Sequence, residues 1–259
     1  MKKKNLILPF CLALVFFDAL ALAHDFWAGV EKTESGQPIV AKIGFGHNFP
    51  EGEAINAEQL GTRFNPMRLL GQKGNLALKK GSEAKFFVSE HNMAKGTYLV
   101  LADTIPSYRS RTPEGMVAKQ KNEAPGATTC SFSSSFGKAI VNLGGATETA
   151  LLSKPVGQAL EIVPQVNPAG IKPGQKFPVQ VLLKGKPLPG AELLAYFAGF
   201  SDDDAYAFSG TTNEEGLVNI IPLKSGEWLA KATFEKPYAD PAVCDLERYN
   251  TTLTFTIAE

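Results

Sequence analysis

The segment Leu253-Thr254-Phe255-Thr256-Ile257 alternates apolar and hydroxyl residues without a break. A period of two rich in β-branched and aromatic side chains marks a strand with one buried face. Phe177-Pro178-Val179-Gln180-Val181 repeats the pattern. Further strands are expected over residues 39–45, 67–70, 76–79, 85–89, 97–102, 138–143, 160–164, 192–197, 217–221 and 228–234. Glycine-bearing turns such as Gly71-Gln72-Lys73-Gly74 and Glu214-Glu215-Gly216 separate them. Only residues 54–60 invite a short helix. Many short strands at this spacing predict an all-β chain built as two β-sandwich domains, the C-terminal one immunoglobulin-like.

The expected divisions are a signal peptide over residues 1–23, an N-terminal β-sandwich over 24–150 and a C-terminal immunoglobulin-like β-sandwich over 158–259. The polar stretch 107–135 reads as a long loop, either mobile or functional. Lys2, Lys3 and Lys4 precede a short apolar run and then small residues at alternate positions, the pattern of a cleaved export signal. That run is shorter than the ~20 apolar residues that span a bilayer. The expectation is therefore an exported protein that does not span the membrane once the signal is removed. Without residues 1–23, 23 basic residues face 25 acidic ones, which gives no electrostatic case for nucleic acid.

Cys130 and Cys244 are the two cysteines beyond the signal. In an oxidising compartment a disulfide is the expected pairing, and a two-cysteine metal site the weaker alternative. Such a bridge would close a loop of about 113 residues, worth about 4–5 kcal/mol in the chain-entropy model.

The chain has only three histidines, His24, His47 and His91. Cleavage after Ala23 would make His24 the new terminus, so that its α-amine and imidazole could close a six-membered chelate ring. Cleavage after Ala21 would put it third, in a position to form a square plane with the amine and two amide nitrogens, suited to Cu(II) or Ni(II). His47 and His91 each follow an expected strand, in Gly46-His47-Asn48-Phe49-Pro50 and Ser89-Glu90-His91. Loops at one end of a sandwich converge. The expected metal ligands are therefore His24, His47 and His91, with Asp25, Glu51 or Glu90 as a further donor and Cu or Ni as the ion. The alternative is three unrelated histidines, two of them in turns. Phe26 and Trp27 are expected to anchor the terminus in the core. Ser201-Asp202-Asp203-Asp204 lacks the alternating ligands of a calcium loop and reads as a solvated turn. No nucleotide-binding or hydrolase fingerprint is present, so no enzyme is expected.

"AHDFW", "GFGHNFP", "SFGKAIVNLG", "TTNEEG" and the long run from "GQALEIVPQVNPAG" to "GKPLPGAEL" resemble a bacterial family of periplasmic proteins with a domain of unknown function. That family is often labelled as the periplasmic component of nickel/cobalt transport. The resemblance covers nearly the whole chain beyond the signal, and His24 and His47 match its histidine motifs. It implies metal capture and delivery to a membrane metal transporter. The competing reading is a non-enzymatic cell-envelope interaction module with no metal dependence. An oxidative copper enzyme with a terminal histidine is a third reading, set aside because the remaining sequence differs from such families.

Overall fold

Tyr98-Leu99-Val100-Leu101-Ala102 is apolar at every position, which suits a strand with no solvent face. In the computed structural model, which describes residues 24–32, 34–200 and 205–259, this strand lies inside a sheet covered on both sides. The expected signal peptide and the acidic run Ser201–Asp204 lie outside the described residues.

The first half of the chain builds β1 (Asp25–Lys32), β2 (Val40–Gly46), helix α1 (Ala57–Arg63), β3 (Arg68–Gly71), β4 (Gly74–Leu76), β5 (Leu78–Lys80), β6 (Phe86–Ser89), β7 (Gly96–Asp103), β8 (Ser107–Thr112), β9 (Gly115–Val117) and β10 (Thr129–Leu143). The second half supplies β11 (Leu160–Pro164), β12 (Phe177–Leu183), β13 (Lys186–Pro187), β14 (Glu192–Phe197), β15 (Phe208–Thr211), β16 (Leu217–Ile220), β17 (Gly226–Pro237) and β18 (Leu246–Ile257). The expected all-β sandwich architecture is present.

The two expected sandwiches share a sheet. A ten-stranded sheet runs β15-β14-β17-β18-β10-β7-β3-β4, with β8 and β9 attached at β10. The chain crosses between its halves where β10 pairs in parallel with β18, from Ser131 opposite Leu246 to Ala139 opposite Thr254. A first sheet, β1-β2-β6-β5, and a third, β11-β12-β13 with β16, complete the structure. Alternation divides the shared strands between two cores. Val100, Ala102, Ala139 and Val141 pack with Ile39, Ile43 and Phe87 of the first sheet. Leu99, Leu101 and Ile140 pack with Leu160, Ile162, Phe177 and Val179 of the third. The segment 144–157 links the halves in sequence, while the sheet itself continues across them.

A polar pair sits inside the second core. Lys138 and Glu161 are both 1% exposed and lie 2.7 Å apart. The Lys138 ammonium also donates to the Ile162 carbonyl, and Glu161 accepts from the Val156 and Gly157 amides. Burial holds the Lys138 pKa below its ordinary value, against the pull of Glu161.

Two expectations are corrected. The stretch 107–135 is largely β8, β9 and the start of β10, with Arg109 opposite Ser131. Its strands expose one face, so hydroxyl and charged side chains fit a ladder that only the backbone must form. The helix begins at Ala57 rather than at 54. Asn56 caps it by accepting from the Gln59 amide at 2.8 Å, and the Gln59 side chain accepts from the Asn56 amide at 3.0 Å.

Cys130 and Cys244 are bridged, with Cα atoms 4.9 Å apart. The adjoining Asp245 accepts from the Cys130 amide and pairs with Lys121, so the crosslink sits in a polar bracket. Replacing both cysteines with alanine should cost about 4 kcal/mol, read as a lower urea midpoint, and the same loss should follow reduction of the wild type. Glu161→Gln should cost about 3–5 kcal/mol by stranding the buried ammonium. Adding Lys138→Met should recover part of that loss, because the amide oxygen of the new glutamine still accepts from the backbone; chemical denaturation of both variants checks this.

Candidate metal centre

β1 and β2 pair antiparallel with Asp25 opposite Gly46, Phe26 opposite Phe45 and Trp27 opposite Gly44. This register sets His24, one residue before β1, beside His47, one residue after β2. Their ring centroids are 4.3 Å apart, with planes inclined by 39°. The His24 ring also stacks on Phe45, at 4.7 Å and 10°. Gly44 leaves the space that the Trp27 indole fills, since a Cβ there would stand 1.9 Å from the ring.

The third member of the cluster arrives by loop closure. Gly46 takes φ 143°, a conformation that strains any residue with a side chain. The chain then doubles back until the Glu53 amide donates to the Phe45 carbonyl at 2.7 Å. The Glu53 carboxylate lies 2.8 Å from His24 Nε2. One donor atom from each of His24, His47 and Glu53 lies within 4.8 Å of the others. Three donors on one ion at bonds of about 2.0–2.2 Å stand about 3–4 Å apart. Side-chain rotations that bring the donors about an ångström closer therefore turn this trio into a ligand set, and all three side chains are exposed enough to make them.

The residue after His24 is held firmly. Asp25 takes the Lys231 ammonium at 2.8 and 3.1 Å and the Tyr196 hydroxyl at 2.9 Å. Thr252 donates to the Phe26 carbonyl at 2.8 Å. Trp27, fully buried, packs with Phe49, Tyr196 and Leu229. Phe49 belongs to the His47 loop and meets the Tyr196 ring edge-on at 6.0 Å. Phe26 and Trp27 thus anchor the start of the described chain in the core, as expected. Burial alone would lower the Lys231 pKa, but the charge and hydrogen bond of Asp25, with Tyr206, outweigh it and raise it.

His91 is not brought to the cluster. β6 runs antiparallel to β2, with Val40 opposite Val88 and Lys42 opposite Phe86, so the end of β6 lies at the start of β2. His47 follows the far end of β2, roughly 20 Å away along the strand. Ser89, which accepts from the Ile39 amide, donates to the His91 carbonyl and fixes the turn there. Glu90 goes with it. Asp25 is committed to Lys231, and Glu51 lies in the field of Glu227 on β17. The sequence reading missed Glu53. Its only signal was membership of the loop opened by Gly46, and the nearer Glu51 concealed it.

A β-sandwich protein with an exposed cluster of two histidines and one carboxylate is thus the class that fold and site define. The family described as Domain of unknown function (DUF4198) matches residues 21–236, and the chain belongs to that family. The match brings no activity with it. No curated protein matches the sequence. Among solved structures, the chain is similar to the D00-D0 domain of intimin at 9% identity and TM-score 0.21, covering 91% of this chain and 100% of that one. It is also similar to the FN1-FN3 domains of chicken CNTN1 at 6% identity and TM-score 0.26, covering 90% and 98%. These superpositions are loose, and the architecture described above rests on the chain's own strand pairing. Among the described residues no helix is long and apolar enough to cross a membrane.

Lys231→Met should loosen the arm that carries His24 and cost about 1.5–3 kcal/mol at neutral pH. Because the folded pKa of Lys231 is raised, its stabilisation is complete below the ordinary value near 10.5 and fades as pH climbs through the folded value. The stability gap between wild type and variant, followed by urea denaturation, should therefore hold from neutral to mildly alkaline pH and narrow only at strongly alkaline pH.

Proposed function

We propose that this protein is a periplasmic carrier of a divalent transition metal, nickel, cobalt or copper, that hands its cargo to a membrane metal transporter and catalyses no reaction. The observation that carries this reading is the convergence of His24, His47 and Glu53 within 4.8 Å. Imidazole nitrogens suit the late first-row metals, and the ordinary order of affinities puts copper above nickel and cobalt at a nitrogen site.

The 2.8 Å contact between His24 Nε2 and the Glu53 carboxylate adds a chemical detail. A carboxylate in that position is suited to accept from Nε2 and leave Nδ1 for a metal, as carboxylates behind metal-bound histidines commonly do. Nδ1 is the nitrogen that closes a six-membered ring with an α-amine on the same residue. Export and cleavage after Ala23 would supply that amine. The ligand set is then the amine and Nδ1 of His24 together with His47, and Glu53 either orients His24 or closes onto the metal. Protons compete with the metal for each nitrogen, so affinity falls as the solution is acidified.

Calorimetric titration of the exported, processed protein with nickel(II) tests this. One equivalent should bind. His47→Ala should weaken binding at least about tenfold, the scale of one lost ligand interaction. Blocking the α-amine should do the same, Glu53→Gln should cost less, and His91→Ala should change nothing. Affinity indifferent to both His47→Ala and the amine block would falsify the carrier reading.

A further inference from the structure

One arginine lies against this centre, and a second stands on a neighbouring strand. Arg63 ends α1, and its guanidinium carbon sits 4.6 Å from the centroid of the Phe45 ring, the ring on which His24 stacks. The Ile105 amide donates to the Arg63 carbonyl at 2.9 Å, which ties the end of the helix to the approach of β8. Arg109 stands on β8, opposite Ser131 of the central sheet. Burial, and then the charge of Arg109, hold the Arg63 pKa below its ordinary value, while Glu53 acts in the opposite direction. Among the described residues neither guanidinium has a carboxylate at ion-pair distance or a side-chain hydrogen bond.

The charges facing the cluster do not balance for a bare cation. Asp25 is neutralised by Lys231. Glu53 supplies one negative charge, and its oxygen is taken by His24. A divalent ion added here meets two imidazoles, one carboxylate and the Arg63 guanidinium, with the charge of Arg109 acting on Arg63 from β8. An anion arriving with the metal removes the excess positive charge. Arginine, with five donors in a planar fork, is the side chain best shaped to grip carboxylate or phosphate oxygens. The donors contributed by His24, His47 and Glu53 also leave coordination positions for such a ligand.

We infer that the centre takes its metal as a complex with an oxyanion chelator, whose outward oxygens are held by Arg63 and Arg109 beside the His24–His47–Glu53 cluster. This rests on the metal-carrier reading above and specifies the form of its cargo.

Equilibrium dialysis of the processed protein tests it, with nickel(II) alone, with nickel and labelled citrate, and with nickel and labelled inorganic phosphate. Nickel-loaded wild type should retain oxyanion, and metal-free protein should retain far less. The retained species, citrate or phosphate, shows which source the arginines fit. Arg63→Gln/Arg109→Gln should keep nickel added alone but lose the oxyanion by about tenfold for each arginine, the scale of one charge-assisted contact. Arg63→Lys/Arg109→Lys, which keeps the charge without the fork, should fall between them. Nickel bound with no oxyanion, equal oxyanion on metal-free protein, or undiminished oxyanion on the glutamine variant would each overturn it while leaving the carrier reading intact. Absence of nickel from every arm would overturn both.

Discussion

Between Gly137 and Leu143, β10 has no solvent face. Ala139, Val141 and Leu143 pack beneath the first sheet, and Ile140 packs against the third. Lys138 also faces the third sheet, where Glu161 meets it. Gly137 lies so close to β1 that a Cβ there would stand 2.6 Å from the Ala28 amide nitrogen. On its edges the same strand pairs with β7 on one side and β18 on the other. Everything else in the fold is positioned against this segment. The buried ion pair suits its place: burying two charges gains little net stability over an apolar pair of the same size. The ammonium is satisfied by the Glu161 carboxylate and the Ile162 carbonyl, a pairing that a one-residue slip of β11 over β10 would break.

The His24–His47–Glu53 cluster inherits that arrangement. Its donors come from the first sheet and the loop after it, but the groups that hold those donors come from the far half of the chain. Tyr196 links the two approaches, with its hydroxyl on Asp25 and its ring edge on Phe49. Lys231 completes the clasp on Asp25. Dividing the chain at residues 144–157 would leave His24 and His47 without these supports. The central sheet therefore does more than join two sandwiches, because it carries the anchors of one half to the donors of the other.

Alternation made the central strands legible in the sequence. β11 and β14 have the bounds that pattern gives, and β12, β16 and β18 are extensions or trims of it. Strands whose residues are polar on their open face, β8 and the first part of β10, were invisible because their ladders are formed by backbone. The proximity of His24 to His47 was legible as a possibility through their shared position at strand ends. The distance of His91 followed from strand direction: ends of antiparallel neighbours point opposite ways, and the sequence reading treated them as one end. Glu53 was out of reach, since the turn at Gly46 and the closing bond to Phe45 decide which carboxylate returns to His24.

On the carrier reading, exposure of the centre is part of its chemistry. Structural metal sites are closed and saturated by protein ligands, which slows release. Here His24 and Glu53 remain 39% and 50% exposed, and the cluster opens to solvent on a surface bordered by Arg63. A donor set that must close by about an ångström binds less tightly than one already at bonding distance, because part of the interaction is spent on ordering. Yet the arm behind His24 is clamped by Asp25, so the cost is confined to side-chain rotations rather than to folding of a segment. Partial preorganisation with open coordination positions permits a receiving protein to attach its own ligands before these let go. Transfer can then proceed by exchange of one ligand at a time, with no step that releases the free ion.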